Sequence, residues 1–359
     1  MSHLEIILPF GIPPASLAKQ LLQQVNAPSL QRLLSFAKAS TPLRLNEFAR
    51  LLPHEYFLFE RDSISQKQKA LEAQNVQRTP DQEQRYTSPR LSISKMLMHG
   101  LATPAASGYW FTLTPVHIHI ARDHLVMTDP RRLQVSEAHA RQLFLIAQEI
   151  CQERGHELIF ASPSMWFLRA DTWRELQTAS LDAAAGHNMD IWMPEGEQAR
   201  NWRKLQNEIQ MAWHNHAANL ERENVGLVPI NSVWIHGGSD QAHHVSPQTG
   251  MASIETFLHQ LKNPSSTKPL TPIIIIEDLL EPALNSDWGS WLNALQQLED
   301  QCFSPLWQAL QNGELDRLNL GVSDHIQFVQ FECKKPSWLQ TFRKPHFNKL
   351  LALAASNHL

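Results

Sequence analysis

The sequence has few cysteines and no long apolar run. Its three cysteines, Cys151, Cys302 and Cys333, are far apart and form no C-x-x-C pair, which argues against a disulfide framework and a structural zinc site. Isolated thiols are typical of a reducing compartment. Apolar runs such as residues 272–276 are far below the roughly 20 residues that a membrane-spanning helix needs. The sequence therefore predicts a cytoplasmic protein without a membrane partner.

The chain also lacks an excess of basic residues. Thirty-one Lys and Arg residues stand against 35 Asp and Glu residues, which gives a formal net charge of −4. A protein that binds the backbone of nucleic acid needs a basic surface, so we predict no nucleic-acid partner. Hydrophobic residues make up 43% of the 359 positions, which is enough for a full core and excludes disorder of the whole chain.

Several catalytic signatures are absent. The sequence contains no G-x-x-x-x-G-K-[ST] phosphate loop, no G-x-G-x-x-G after its first predicted strand, no G-x-S-x-G elbow and no H-E-x-x-H helix. These absences disfavour an ordinary ATPase, a Rossmann dehydrogenase, a serine hydrolase and a zincin.

Predicted strands and helices alternate along most of the chain. Apolar runs predict strands at residues 4–8, 109–113, 116–120, 232–235 and 273–276. A helix is predicted over 195–218, with Trp202, Leu205, Ile209 and Trp213 on one face. This order predicts an α/β fold with a mostly parallel sheet flanked by helices. Residues 63–89 are polar and rich in Gln, and we interpret them as part of a flexible insertion.

Two histidines lie two residues apart on a predicted strand. His117 and His119 therefore share one side of the strand, from which two imidazoles can bind one metal ion. Asp123 can complete such a site or orient a histidine. A polar strand face that lines a cleft explains the same pattern, because an H-x-H motif alone has low specificity. Arg122 and Arg131 can clamp a phosphate or a carboxylate, since guanidinium groups bind these anions with paired hydrogen bonds.

Further candidates lie later in the chain. A glycine-containing loop holds His187 and Asp190, either of which can act as a ligand or a general acid or base. Asp182 and Asn188 of the same loop equally suit the capping of turns. His236 ends a predicted strand beside two glycines, at an end of an α/β sheet where ligands bind.

Three strings in this region are distinctive. They are Pro115–Leu125, Gly186–Gly196 (GHNMDIWMPEG) and Trp202–Glu208 (WRKLQNE). Together with Leu8–Phe10 and Pro13–Ala15 they resemble a proteobacterial family of regulatory proteins of the RpfE type. The resemblance covers most of the chain and implies a regulatory role.

A fourth string, at residues 216–234, has the pattern H-x-x-N-x-x-R-x-x-x-G-x-x-P-x-N-x-x-W. It is similar to a string in archaeal-type cofactor-independent phosphoglycerate mutases, which belong to the alkaline phosphatase superfamily. Their middle region helps to bind the phosphorylated substrate. The resemblance thus implies ligand-binding roles for four residues: His216, Asn219, Arg222 and Asn231.

The resemblance also implies a domain organisation. Residues 1–60 and 232–359 form the two halves of an α/β core, residues 61–108 a flexible insertion, and residues 109–231 an inserted substrate-binding-like α/β subdomain. The core halves depart from the enzymes, which have a metal-binding Asp-Gly after the first strand where this chain has Leu8–Gly11. The enzymes have Gly-Asp-His near the C-terminus, and we interpret the nearest string here, Ser323–His325, as a turn. Two close cations need several carboxylates, so the resemblance implies the fold more than the reaction.

Three functions stay open. The first is a phosphoglycerate mutase-like, RpfE-type regulatory protein that lacks the standard dimetal site and binds a small phosphorylated or carboxylated ligand. The second is an active metal-dependent phosphomutase or phosphatase. Its cofactor would be Mn or Zn, although the residues establish no cofactor, and its ligands would come from His117, His119, Asp123, His187, Asp190 and His236. The third is a protein-interaction module anchored by some of the 11 tryptophans, most of which fit a core equally well.

Overall fold

The computed structural model describes residues 2–61, 107–121, 123–240, 248–262, 272–337 and 344–356. It combines sheets with helices, which confirms the mixed α/β fold class. The predicted insertion lies outside these residues except at its ends, and so does Arg122. The chain divides into two compact units: unit 1 comprises Met1–Glu47 and Pro247–Leu359, and unit 2 comprises Phe48–Ser246.

The strands and helices of the described residues have the following bounds. The strands are β1 His3–Leu8, β2 Lys38–Ala39, β3 Leu43–Arg44, β4 Trp110–Val116, β5 Ile118–Ala121, β6 His124–Met127, β7 Glu157–Ser162, β8 Met165–Arg169, β9 Ser232–Ser239, β10 Gln248–Thr249, β11 Ile273–Ile275, β12 Arg317–Ser323 and β13 Gln327–Lys334. The α-helices are Ala15–Gln24, Pro28–Phe36, 53–61, Glu137–Glu153, Leu181–Ala184, Met189–Trp192, Ala199–Trp213, Ala217–Asn224, Met251–Lys262, Leu280–Leu284, Trp288–Leu298, Ser304–Asn312 and Asn348–Ala355. Every helix among the described residues is too short or too polar to traverse a bilayer.

Unit 1 contains the predicted parallel sheet. Its strand order is β10–β11–β1–β12–β13–β2, with β3 also paired to β13. The first four strands run parallel, and β13 runs antiparallel to β12. β1 is apolar because a central parallel strand is buried on both faces. Its one carboxylate, Glu5, is buried and accepts a hydrogen bond from Gln330 Nε2 at 2.8 Å, which offsets the cost of burying it.

Unit 2 differs from the prediction, because its four-stranded sheet is antiparallel. The order is β7–β8–β4–β9. Two residues join β7 to β8, and so short a link connects antiparallel strands only, since a parallel pair needs a long crossover. The predicted mostly parallel sheet is therefore correct for unit 1 and wrong for unit 2. β9, which the prediction assigned to the core half 232–359, pairs with β4 of unit 2.

Two helices, Glu137–Glu153 and Ala199–Trp213, contribute the apolar side chains that form the core of unit 2 with its sheet. The four predicted core residues of the second helix, Trp202, Leu205, Ile209 and Trp213, are fully buried, which confirms the predicted apolar face. The indole of Trp213 meets Trp166 edge to face, with ring centroids 5.9 Å apart. Its Nε1 donates to the Leu143 carbonyl at 3.1 Å, so the polar atom of this buried ring is satisfied.

Candidate functional site

A short hairpin, β5–β6, follows β4 in unit 2 and carries the predicted histidine motif. We call residues 117–128 the histidine hairpin. Its strands pair antiparallel from Ile118 opposite Met127 to Ala121 opposite His124. The Asn231 amide binds one edge: Oδ1 accepts from Ile118 N and Nδ2 donates to Ile118 O, both at 2.8 Å. An amide that matches both backbone groups of one residue takes the place of a neighbouring strand, so the hairpin has a fixed position.

The rings of His117 and His119 lie on the same side of the hairpin, as their spacing predicts. They are nearly parallel, at 15°, and their centroids are 5.7 Å apart. His117 Nδ1 is 2.8 Å from the Pro229 carbonyl, and His119 Nδ1 is 3.3 Å from Thr128 Oγ1. Each ring is therefore held through Nδ1, and neither Nε2 is bonded to another described residue. Two Nε2 atoms are left for a ligand on one side of the hairpin.

His117 has an altered proton affinity because it is partly buried. Burial lowers the pKa of His117 below its ordinary value, the bond to the Pro229 carbonyl acts in the opposite direction, and the charges of His119 and Arg222 add to the lowering. The ring is therefore neutral at pH 7.

The turn of the hairpin holds the predicted Asp123. Its Oδ1 lies 3.0 Å from His124 Nδ1, and this hydrogen bond is the main reason that the pKa of Asp123 is lowered. Asp123 thus orients a histidine, as the sequence analysis considered, and that histidine is His124.

The loop that carries His187 and Asp190 lies beside the hairpin. Gly186 N donates to the Met127 carbonyl at 3.0 Å, so the loop begins next to β6. His187 and Asp190 are both exposed in this loop. Asn188 accepts from Asp190 N at 3.0 Å and caps the helix Met189–Trp192, which confirms the capping role for Asn188, whereas Ser180 and not Asp182 caps the helix Leu181–Ala184. The structure thus brings this loop to the histidine hairpin at the level of the backbone.

The residues that the resemblance links to ligand binding hold the backbone behind the hairpin. Asn219 is buried; its Nδ2 donates to the Trp213 and Ile230 carbonyls, each at 2.9 Å, and its Oδ1 accepts from Ile230 N at 2.8 Å. His216 Nδ1 accepts from Ala218 N at 3.2 Å and caps the helix Ala217–Asn224. Together with Asn231, these side chains shape the segment that carries Pro229.

Arg222 is fully buried and acts in the same way. Its guanidinium donates to the carbonyls of Val228, Leu133 and Gln134 at 2.9, 2.5 and 3.3 Å. Val228 immediately precedes Pro229, whose carbonyl holds His117. Arg222 is therefore one step removed from the histidine pair and positions it.

His236 lies apart from the hairpin. It is buried on β9 opposite Thr112, and its Nε2 is 3.3 Å from Thr114 Oγ1. Burial lowers the pKa of His236 to about 4. The ring of His236 contacts Thr114, which lies three positions before His117 in extended chain, a distance of roughly 10 Å at the usual rise of a strand. The structure therefore does not bring His236 to the other candidates.

A charged cluster that the sequence did not predict lies next to the hairpin. We call it the Arg131 cluster: Arg131, Asp129, Asp182, Glu55 and Ser180. Arg131 Nη1 lies 3.2 Å from Asp129 Oδ1 and 2.7 Å from Asp182 Oδ1, and Nη2 makes a second bond to Asp182. Two carboxylates thus engage the guanidinium that the sequence suggested as an anion clamp.

Glu55 belongs to this cluster through its Oε2, which accepts from Ser180 Oγ at 2.6 Å and from Leu52 N at 2.7 Å. Burial and the negative charge of Asp182 raise the pKa of Glu55 to about 8, against the opposing effect of these hydrogen bonds and of Arg131. The only sequence clue was a helix start: Pro53 stands at the first helical position, and a Glu two residues later can reach back to the cap. No local sequence pattern indicated the hydrogen bond between Glu55 and Ser180.

The string Ser323–His325, which the sequence analysis compared with the Gly-Asp-His of the enzymes, lies at the end of β12 in unit 1. Asp324 is buried and accepts from Ile326 N at 2.8 Å and from Gln327 N and Nε2, each at 2.9 Å. This confirms the predicted turn at Ser323–His325. Within the described ranges, no three His, Cys, Asp or Glu side chains converge on a metal-binding point.

A surface cavity of about 650 Å³ lies at the end of the helix Glu137–Glu153, and its lining contains none of the predicted site residues. Arg154 and Arg169 contribute to its lining. Arg154 is paired with Glu208, and Arg169 Nε lies 3.0 Å from Asp171 Oδ2. Because its cations are already paired, this cavity is a weaker candidate than the histidine hairpin.

Known proteins provide a distant similarity. No family profile matches the chain. A probable 2,3-bisphosphoglycerate-independent phosphoglycerate mutase of Geobacter sulfurreducens is 26% identical over 131 residues, which cover 35% of this chain and 32% of that protein. The chain is distantly similar to a phosphoglycerate mutase. The match spans only about a third of the relative's length.

Two solved structures also align with the chain. A cofactor-independent phosphoglycerate mutase of Thermoplasma acidophilum aligns with a TM-score of 0.36 and 12% identity, over 99% of this chain and 95% of that one. A protein of Pyrococcus horikoshii aligns with a TM-score of 0.44 and 10% identity, over 93% and 87% of the two chains. The sequence similarity is the one that the resemblance led us to expect, whereas the RpfE-type assignment stays a prediction.

Proposed function

We propose that this chain is a phosphoglycerate mutase-like regulatory protein of the RpfE type, which binds a small phosphorylated or carboxylated ligand at the histidine hairpin. One observation carries the proposal: both imidazoles are anchored through Nδ1 and leave both Nε2 atoms on one side of the hairpin. The similarity to a phosphoglycerate mutase supports the class of ligand. Three buried, unpaired cysteines support a cytoplasmic location.

The surroundings of the hairpin support a binding role because they make it rigid. Asn231 fixes Ile118 on both backbone groups, and Arg222 fixes the segment before Pro229. A ligand loses less free energy to ordering when its binding groups are already held in place. The residues that the resemblance links to the ligand thus act by positioning His117.

Residues of unit 1 support recognition rather than turnover by the mutase mechanism. Leu8–Gly11 supplies no carboxylate after the first strand, and the Asp324 carboxylate is engaged in its own turn. A two-metal reaction needs several carboxylates around its ions.

The test is a binding titration of the full chain with 3-phosphoglycerate and 2-phosphoglycerate, with and without an added divalent metal. We expect saturable binding to one site, weakened about tenfold or more in His117→Ala and His119→Ala. His214→Ala is the matched control, because His214 is exposed at the end of another helix, and it should bind as wild type does. Absence of binding for these and for other phosphorylated or carboxylated metabolites would contradict the proposal.

The alternative is an active metal-dependent phosphomutase or phosphatase, which the similarity to a probable phosphoglycerate mutase favours. An assay of both activities with added Mn decides between the two. Turnover that disappears in His117→Ala would establish the alternative and reject a purely regulatory role.

The third hypothesis, a protein-interaction module, has little support because most of the tryptophans are buried. Nine are buried: Trp110, Trp166, Trp173, Trp192, Trp202, Trp213, Trp234, Trp291 and Trp307. Trp288 is half-buried, and Trp338 lies outside the described residues. These side chains stabilise the cores of the two units, so a protein partner would need other anchors.

A further inference from the structure

We propose that the histidine hairpin binds one divalent transition-metal ion through Nε2 of His117 and Nε2 of His119, and that this ion holds the anionic ligand. The role of the ligand rests on the function proposed above. The metal site itself rests only on the geometry of the hairpin.

The hydrogen bond between His117 and Pro229 fixes the tautomer of the ring. A carbonyl oxygen has lone pairs and no hydrogen, so Nδ1 must carry the hydrogen that lies between the two atoms, which are 2.8 Å apart. In the neutral ring Nε2 therefore holds a lone pair, which is the form that binds a metal ion. Histidine ligands of metals usually donate their other N–H to a carbonyl, a carboxylate or a water, and His117 has this arrangement.

His119 repeats the arrangement with a different partner. Its Nδ1 lies 3.3 Å from Thr128 Oγ1, and when the hydroxyl accepts this hydrogen bond, Nε2 of His119 also holds a lone pair. The two ring centroids are 5.7 Å apart. Two imidazoles bound through Nε2 to one tetrahedral ion have ring centres roughly 5 Å apart. The separation of the two ring centres is therefore close to that of two imidazoles on one ion.

A third imidazole lies on the same side of the hairpin. His124 is opposite Ala121, which shares a strand face with His119, and antiparallel partners point to the same side. Its Nδ1 is bonded to Asp123 at 3.0 Å, so this ring too is held through Nδ1. The described residues do not gather three ligands around one point, so His117 and His119 are the assigned pair and water or ligand oxygens fill the other positions.

An ion at this pair supplies a positive charge for an anion, which two Nε2 atoms with lone pairs do not. Two lone pairs that face a phosphate or a carboxylate repel it, whereas an ion between them attracts it. A divalent ion with two protein ligands keeps open positions, which the oxygens of the anion can occupy. Imidazole ligands favour Zn²⁺ and its neighbours over Mg²⁺, which prefers oxygen ligands.

The experiment measures Zn²⁺ and Mg²⁺ binding to the full chain, purified without a polyhistidine tag, by equilibrium dialysis with metal analysis. We expect one Zn²⁺ per chain and no Mg²⁺. In both His117→Ala and His119→Ala we expect an affinity at least about tenfold lower, and in His214→Ala an unchanged affinity. Circular dichroism checks that the variants are folded.

A measurement on the wild-type protein keeps the test independent of the variants. In ¹⁵N spectra of the imidazoles, Zn²⁺ should shift the Nε2 signals of His117 and His119 and leave that of His214 in place. Zn²⁺ that does not bind stoichiometrically, or that binds equally well to both variants, overturns the metal site.

The two proposals fail in distinguishable ways. If Zn²⁺ binds at the pair and no phosphoglycerate binds with or without it, the metal site stands and the proposed function fails. If phosphoglycerate binds equally well in EDTA, the claim that the ion holds the ligand fails, whereas the proposed function stands.

Discussion

The histidine hairpin and the Arg131 cluster adjoin each other at Thr128 and Asp129. They differ in whether their polar atoms are already bonded within the protein. In the cluster, Arg131 is engaged by two carboxylates. In the hairpin, each imidazole uses one nitrogen for the protein and keeps the other. This difference is why the hairpin, whose imidazoles keep unbonded nitrogens on a rigid support, is the candidate site and the cluster is not.

We expect the largest loss of stability when the buried Arg222, which supports the hairpin, is replaced. Arg222→Ala removes the hydrogen-bond donor of three carbonyls, that of buried Leu133 and the partly buried ones of Val228 and Gln134. We expect a loss of about 3–5 kcal/mol in the free energy of unfolding, because each buried unpaired group costs about 1–3 kcal/mol. Urea denaturation measures the loss. Arg203→Ala, at an exposed position, is the control, and equal midpoints for the two variants would contradict the positioning role of Arg222.

The second effect concerns the cluster and depends on pH. The pKa of Glu55 is raised from its unfolded value of about 4.5 to about 8 in the folded protein, so the folded state binds more protons between these values. The contribution of Glu55 to stability is therefore complete below about pH 4.5 and is lost as the pH rises through 8. Glu55→Gln, which mimics the protonated form, should remove this slope and stabilise the protein at pH 8–9 by an amount on the order of a few kcal/mol.

Thermal or urea unfolding between pH 5 and pH 9 measures this slope. Glu197→Gln is the control, since Glu197 is exposed in the same unit. A wild-type protein whose stability rises with pH in this range, with a slope that Glu55→Gln leaves unchanged, would show that the carboxyl is ionised in the folded state.

The third effect tests whether the hairpin depends on its support. Asn231→Ala removes the two bonds that fix Ile118, and we expect a loss of about 1–2 kcal/mol because each such bond contributes about 0.5–1.5 kcal/mol. Faster hydrogen exchange at the Ile118 amide should accompany weaker binding of Zn²⁺, although both histidines remain. Asn215→Ala, at an exposed site, should change neither quantity. Unchanged Zn²⁺ affinity in Asn231→Ala would show that Zn²⁺ binding does not depend on the support that Asn231 gives to the hairpin.

The smallest effect is expected for Asp123→Asn, which tests whether His124 is a metal ligand. Asp123→Asn removes the carboxylate that orients His124 at the exposed turn. We expect no measurable change in the unfolding midpoint and little change in Zn²⁺ affinity, because His117 and His119 are the assigned pair. A large drop in Zn²⁺ affinity would instead make His124 a ligand.

The sequence predicted the features that depend on local pattern. The apolar face of Ala199–Trp213, the strand at β1 and the shared side of His117 and His119 follow from helical and strand periodicity, and all three agree with the structure. The turn at Ser323–His325 agrees as well. These features need no knowledge of distant contacts.

The features that sequence reasoning missed depend on long-range contacts. Glu55 and Ser180 are 125 residues apart in the chain, and no local pattern indicates their hydrogen bond. The direction of the strands in unit 2 was missed because alternating elements suggest parallel pairing, whereas the link between β7 and β8 is a short turn. Arg222 was interpreted from a resemblance, and only its three carbonyl partners show how it acts.

The most direct test of the account follows the histidine signals of the wild-type protein during a titration with 3-phosphoglycerate in the presence of Zn²⁺. We predict that the ¹⁵N imidazole signals of His117 and His119 shift and saturate together, while those of His214 and buried His236 do not move. Saturable binding that shifts the signals of His156 or His236, and leaves those of His117 and His119 in place, would contradict the claim that the histidine hairpin is the binding site.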